Sequence, residues 1–341
     1  MNTQPLLPRR TVLLCAGLLP TALLTACASP AVNPPGTRAP FDLQGHRGAR
    51  GLAPENTLAA FERAMEIGVS TLELDIALTT DGVPVIVHDP ALNPAITRDA
   101  GGAFLRATGP AVHTLTLAQL QTYDVGRLDP TSKYGQPFAS QAARDGQRIP
   151  ALRDLFALTR NAGAKDLRFN IEAKTDPTAP ASTAPVEAIV RAILDEVQRA
   201  GLNERVTLQS FDWRAQAIAA PLAPALSRAW LTSPRTLRDP RWTRGLRVED
   251  VGGSVPRLVK AAAADGRGPA IWSPAFAELT AAQVSEAQGL GLQVIPWTVN
   301  QPVDLARVMD LGVDGIITDY PDRLRALMRE RGMTLPRGLK N

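Results

Sequence analysis

The chain has 341 residues, 45% of them hydrophobic, enough for one large domain or two medium ones with a full core. Its formal net charge is +4, from 37 basic and 33 acidic residues, and the arginines are spread along the chain without a dense block, which excludes nucleic acid as a partner. Two cysteines, Cys15 and Cys27, exclude a disulfide-stapled scaffold.

The N-terminus reads as an export leader. Arg9 and Arg10 precede an apolar run over 11–24, too short for a bilayer span of about 20 residues. The run closes on Leu24-Thr25-Ala26-Cys27, which resembles a bacterial lipobox with Cys27 as the lipidated residue. Residues 1–26 are therefore expected to be removed, and loss of Arg9 and Arg10 would leave a net charge of +2. The expected location is the periplasmic side of a bacterial envelope, on a membrane through the lipid. Ala28 after the cysteine favours the outer membrane over the inner. Residues 27–40, rich in proline and small side chains, suit an extended tether.

Beyond the tether, β-type runs fall at 41–46, 71–77, 167–174, 206–211, 227–231, 270–273, 292–297 and 315–318. Helical runs include 56–67, 186–200, 281–290 and 302–311, with a terminal one at 321–331. Eight strands alternating with helices predict a (β/α)8 barrel over 41–335. A further run at 84–88 follows Asp81-Gly82, a turn too short for a crossover, and should fold back on the strand before it. With Asp81-Gly82 as a two-residue loop, Thr80 faces Val83 and Asp75 faces His88. The insert over 89–148 and the arginine-rich stretch over 232–253, which carries Trp242, would sit over the strand ends either as covers or as solvated surface.

In Thr71-Leu72-Glu73-Leu74-Asp75-Ile76, Glu73 and Asp75 share one strand face opposite Leu72, Leu74 and Ile76. Two like charges about 4 Å apart repel by about 4 kcal/mol at an effective dielectric near 20, so a cation or a proton belongs between them. Glu172 and Lys174 share a face at the end of the strand at 167–174, and His46 ends the first strand. Barrel active sites gather at that rim. Three carboxylates without cysteine suit a hard cation such as Ca²⁺ or Mg²⁺, and Arg47 with Lys174 suits an anionic substrate. His113 lies in the insert outside any motif and reads as a surface or packing residue; Trp213, Trp230, Trp242 and Trp272 read as packing, with sugar or head-group stacking open for Trp242.

His46-Arg47-Gly48, Pro54-Glu55-Asn56-Thr57, Glu73-Leu74-Asp75, His88-Asp89, Glu172-Ala173-Lys174, Trp297-Thr298-Val299-Asn300 and residues 314–319 together resemble the glycerophosphodiester phosphodiesterase family, in order from about 41 to 327. The resemblance implies a (β/α)8 barrel and hydrolysis of glycerophosphodiesters to glycerol 3-phosphate and an alcohol. It also implies His46 and His88 as the acid–base pair, with Glu73, Asp75 and Glu172 as ligands of one divalent cation. Arg47 and Lys174 would contact phosphate, and Gln209 and Trp297 would line the substrate pocket. Gln44-Gly45 depart from the hydrophobic residue and alanine common in that family. Two alternatives stay open: phospholipase-D-like or lysophospholipase-D-like action on the same barrel, and a non-catalytic glycerophosphodiester-binding lipoprotein. Nothing points to a protein partner.

Overall fold

The computed structural model describes residues 1–3 and 40–339. Cys27 and, apart from residues 1–3 and 40, the expected leader and tether lie outside the described residues. The chain divides into two compact units, Met1–Arg38 and Ala39–Asn341, and the second carries the fold. Among the described residues no helix is long and apolar enough to cross a membrane.

Among the described residues nine strands form one sheet: β1 Asp42–Gly45, β2 Thr71–Leu78, β3 Pro84–Ile86, β4 Arg168–Ala173, β5 Val206–Ser210, β6 Ser227–Thr232, β7 Ala270–Pro274, β8 Gln293–Val294 and β9 Gly315–Thr318. The order β8-β7-β6-β5-β4-β2-β1-β9 is parallel throughout, and β3 hangs antiparallel on β2. Asp314 N donates to Val294 O at 2.9 Å and Ile317 N to Pro296 O at 3.0 Å, bringing the two ends of that path together as a nearly closed barrel. β8 is short because Pro296, two residues beyond it, has no N–H for a ladder. The chain thus folds as the (β/α)8 barrel expected. The structure adds crossover helices at Leu152–Asn161, Arg214–Leu222 and Val255–Ala262 that the sequence reading left unassigned.

Strands covered by helices outside and filled inside are buried on both faces, and every residue of β2 is. Leu72, Leu74 and Ile76 point outward into the main core and are fully buried, each worth about 1.5–3 kcal/mol. Glu73 and Asp75 point inward. The barrel interior is divided: Ala229, Ile271, Ile295 and Ile317 form one apolar side, with Trp297 packed on it. The other side is a polar column. Gln209 Nε2 donates to Glu73 Oε1 at 2.7 Å. Asn170 Nδ2 donates to Gln209 Oε1 at 3.0 Å and to Gln44 Oε1 at 2.8 Å. Gln44 Nε2 in turn donates to Asp42 Oδ2 at 3.0 Å. Gln44, which departs from the usual family residue, is thus one link of this column.

The hairpin register differs from the expected one. Ile76 pairs Ile86 and Ala77 pairs Val85, so Asp75 lies opposite Val87, not His88. Val87 N donates to Asp75 O at 2.9 Å. The loop has three residues, Thr80-Asp81-Gly82, closed by Thr79 N donating to Val83 O and by Gly82 at φ +76. His88 reaches the site for another reason: it lies past the end of β3, where no ladder fixes which way a side chain points.

The insert is docked. Val112, Leu120, Val125 and Ile149 pack with Val85 and Val87 of the hairpin in a second small core. Arg98 pairs with Asp124 and Asp145, both at 2.6 Å, tying its middle to its end.

Candidate active site

One cavity of ≈ 240 Å³ opens at the C-terminal ends of the strands, lined among others by His46, Arg47, Arg50, Glu73, Asp75, His88, Glu172, Gln209, Phe211 and Trp297. Parallel register puts the acids there. Asp75 pairs Glu172 across β2 and β4, with Glu73 one pleat below, opposite Asn170. Ligand oxygens of Glu73, Asp75 and Glu172 all lie within 4.8 Å of one another, and all three residues are buried.

The loop after β1 carries His46 and Arg47 and needs its glycines. A Cβ on Gly48, at φ +86, would sit 2.7 Å from the Ala60 backbone, and one on Gly45 would sit 2.1 Å from Gly48 O. Arg47 (φ 50) and Asn56 (φ 56) are themselves left-handed. Asn56 N donates to Arg47 O at 3.0 Å, locking the HRG and PENT segments together. That fold aims Arg47 N at Glu73 Oε2, 2.9 Å away, and Asn56 Nδ2 at Asp75 Oδ2, 2.9 Å away. With Gln209 on its other oxygen, Glu73 is held at both ends.

Each histidine is backed by a carboxylate. His46 Nδ1 and Asp319 Oδ1 lie 2.6 Å apart, and Asn300 Nδ2 donates to Asp319 Oδ2 at 2.6 Å. His88 Nδ1 and Asp89 Oδ1 lie 2.7 Å apart, and Asn93 Nδ2 donates to Asp89 Oδ2 at 2.7 Å. In both rings Nδ1 is thereby committed and Nε2 is the nitrogen left over; that of His46 stands 3.9 Å from Glu73 Oε2. Burial lowers the His46 pKa; Asp319 opposes that, and Arg47 and Arg50 reinforce it. Burial, then Lys174 and Arg47, take His88 down to about 4. Burial thus favours the neutral form of both imidazoles.

The acids diverge. Burial raises Glu73 well above the carboxylate range, and the Asp75 and Glu172 charges add to it. Burial likewise raises Glu172, against the pull of Lys174. Burial would raise Asp75 too, but His88, Lys174 and Arg47 hold it far below its usual value. Crowded, buried, oxygen-only donors fit a hard divalent cation, whose charge would relieve this repulsion. The buried Asn56 Oδ1, which lacks a hydrogen-bond partner, is a further hard oxygen beside Asp75.

Other expected residues are placed less directly. Lys174 is not among the cavity's lining residues: its Nζ donates to Glu172 Oε1 at 2.9 Å and stands 3.6 Å from Asp75. Gln209 lines the cavity, yet both ends of its amide bond protein groups. Trp297 packs edge-on against Phe211 at 5.2 Å, and Phe211 against Trp242 at 6.5 Å. Trp242, Trp213, Trp230 and Trp272 are buried and pack, as expected. His113 is half-buried on a short helical turn of the insert, outside the cavity lining. Sequence reasoning missed Arg50, Tyr134, Asp319 and Asp89 as working parts. Tyr134, from the insert, donates to Glu55 Oε2 at 2.6 Å and accepts from Arg47 Nη1 at 3.0 Å.

A barrel that gathers two carboxylate-backed imidazoles, three clustered acids and two arginines at its strand ends is arranged as barrel enzymes are, with the active site at that rim. The profile of the glycerophosphoryl diester phosphodiesterase family matches residues 46–323, and the chain belongs to that family. A glycerophosphodiester phosphodiesterase of Caldanaerobacter subterraneus is 30% identical, over 84% of this chain and 97% of that one. A crystal structure from Silicibacter pomeroyi, named for the same family, superposes with a TM-score of 0.78. It is 36% identical and covers 88% of this chain and 96% of its own. A phosphodiesterase of Oleispira antarctica, solved with the product sn-glycerol-3-phosphate, shares the fold at 23% identity and a TM-score of 0.59, over 84% of this chain and 96% of that one.

Proposed function

We propose that this chain hydrolyses small glycerophosphodiesters to glycerol 3-phosphate and an alcohol, with His46 and His88 as the acid–base pair. Glu73, Asp75 and Glu172 would hold one divalent cation, Ca²⁺ or Mg²⁺. When bound, that ion supplies Lewis-acid stabilisation of charge on a non-bridging phosphate oxygen. The observation that carries the reading is the pairing, in one cavity, of two imidazoles fixed through Nδ1 with a buried cluster of three carboxylates.

Each imidazole presents Nε2. One removes a proton from the nucleophile, water or the substrate's own glycerol 2-hydroxyl, and the other protonates the departing alkoxide. Each step is worth about 10²–10⁴-fold. Asp319 and Asp89 fix the tautomers and stabilise whichever ring is protonated. Arg47 meets phosphate from the loop after β1, and Trp297 with Phe211 forms the apolar wall. Gln209 and Lys174 act on the acids, the first by orienting Glu73, the second by charge beside Glu172 and Asp75. A cavity of ≈ 240 Å³ suits a head-group-sized diester better than a whole phospholipid.

The export reading rests on the leader and on Cys27 as the lipid-bearing residue, which would hold the enzyme on a membrane facing an exported compartment. The test of function is a panel in which metal-loaded protein meets water-soluble glycerophosphodiesters, lysophospholipids and whole phospholipids. Glycerol 3-phosphate should come from the soluble diesters. Turnover of lipids alone would indicate a phospholipase-D-like enzyme, and binding without turnover a capture lipoprotein.

A further inference from the structure

The cavity holds a second guanidinium that neither the motifs nor the reading above assigns. Arg47 is largely committed to the protein: its Nη1 donates to Glu55 Oε1 at 2.6 Å and to Tyr134 at 3.0 Å, and its Nε faces Asp75 at 3.3 Å. Only 5% of the residue is exposed. Arg50 also lines the cavity, three residues on, and is not tied down in this way. Its guanidinium carbon stands 4.3 Å over the Phe138 ring and 5.8 Å from that of Tyr134, both from the insert. Its carbonyl accepts from Gln141 Nε2 at 2.6 Å, also from the insert. Its Nε lies 3.1 Å from Asp319 Oδ1 without a hydrogen-bond geometry to it.

We infer that Arg50 is a substrate-binding residue whose guanidinium takes the phosphate of the glycerophosphodiester, and that the insert, through Phe138, holds it in place for that contact. A planar cation held over an aromatic ring can still turn its donors toward a phosphate oxygen. The insert thereby builds part of the site's affinity from a segment distant in sequence from the barrel motifs. This inference rests on the phosphodiesterase reading, since it names the group that meets that substrate's phosphate.

A purely structural role is the competing explanation, because Arg50 also stands beside the carboxylate that backs His46. A structural partner of Asp319 would change kcat and its pH profile, whereas a phosphate contact would change KM and product affinity. The test uses metal-loaded enzyme, with steady-state turnover of a soluble glycerophosphodiester and calorimetric titration of sn-glycerol 3-phosphate. Arg50→Met, which keeps the apolar stem, should weaken glycerol 3-phosphate binding about 10- to 100-fold and raise KM by a similar factor, with a smaller fall in kcat. Arg50→Lys should recover part of that loss. Phe138→Leu, which leaves the guanidinium in place but removes its platform, should weaken binding by about threefold. Unchanged glycerol 3-phosphate affinity in Arg50→Met, with a fall confined to kcat, would overturn the inference while leaving the phosphodiesterase reading intact. A wild-type enzyme that neither turns over the diester nor binds glycerol 3-phosphate would overturn that reading and the inference with it.

Discussion

Asp319→Asn removes the charge behind His46 while keeping the shape of the side chain. Asp319 is fully buried, and burial alone would raise its pKa. The His46 imidazole at 2.6 Å outweighs that, aided by Arg50 and Asn300, and holds it at about 2 against an ordinary 3.8. At about 1.36 kcal/mol per pKa unit the difference is worth about 2.5 kcal/mol, close to a 10²-fold effect on any step that needs the imidazolium. The asparagine also permits the wrong tautomer, so the expected fall in kcat is at least about 100-fold. The same depressed pKa carries a stability sign. The ionised carboxylate's contribution, made at pH 7 through Arg50, Asn300 and the hydrogen bond from the His46 ring, is complete above about pH 4 and is lost as pH falls through about 2; the variant should therefore be less stable than wild type at pH 7 and converge with it in acid. Steady-state kinetics and urea unfolding at both pH values measure this, with His113→Ala as a control expected within about twofold of wild-type turnover. A variant that keeps more than a third of the wild-type kcat would refute the assigned role of Asp319.

Exhaustive chelation should abolish turnover, and Ca²⁺ or Mg²⁺ should restore it; Glu172→Gln should lose more than about 100-fold while remaining folded, and full turnover after chelation would remove the three-carboxylate site. Tyr134→Phe leaves Glu55 and Arg47 each short of a hydrogen bond and should cost about 1–2 kcal/mol in urea unfolding, whereas an unchanged midpoint would show that the insert does not brace the HRG loop. Cys27→Ser should release the enzyme from the membrane fraction or leave it unprocessed with its activity intact; retention of correctly processed Cys27→Ser protein would show another anchor.

The barrel was legible because parallel strands buried on both faces leave short β-branched runs separated by helix-length segments, and the inward acids stood out against Leu72, Leu74 and Ile76. The hairpin register was not, since Thr80-Asp81-Gly82 and Asp81-Gly82 read alike until Gly82 is seen in the left-handed region. Asp319 and Asp89 lay inside recognised motifs, but nothing local says that a carboxylate turns back on a histidine 273 residues away in the case of Asp319. The column through Gln44, Asn170 and Gln209 did leave a signal: polar side chains at inward positions of strands whose outward positions are apolar. Tyr134 and Phe138 left none, because the insert has no periodicity and meets the first loop only in three dimensions. Lys174 shared a strand face with Glu172, and alternation alone could not say that it would bond that carboxylate instead of opening onto the cavity.

Which bond is broken, and by which residues, decides the mechanism. A ³¹P NMR time course of the metal-loaded enzyme with a soluble glycerophosphodiester, run beside His46→Ala and His88→Ala, measures that. The diester resonance should give way to that of glycerol 3-phosphate in the wild type and persist in both variants. A persistent diester signal in the wild type, phosphate left on the alcohol instead of on glycerol, or wild-type rates in either histidine variant would contradict it.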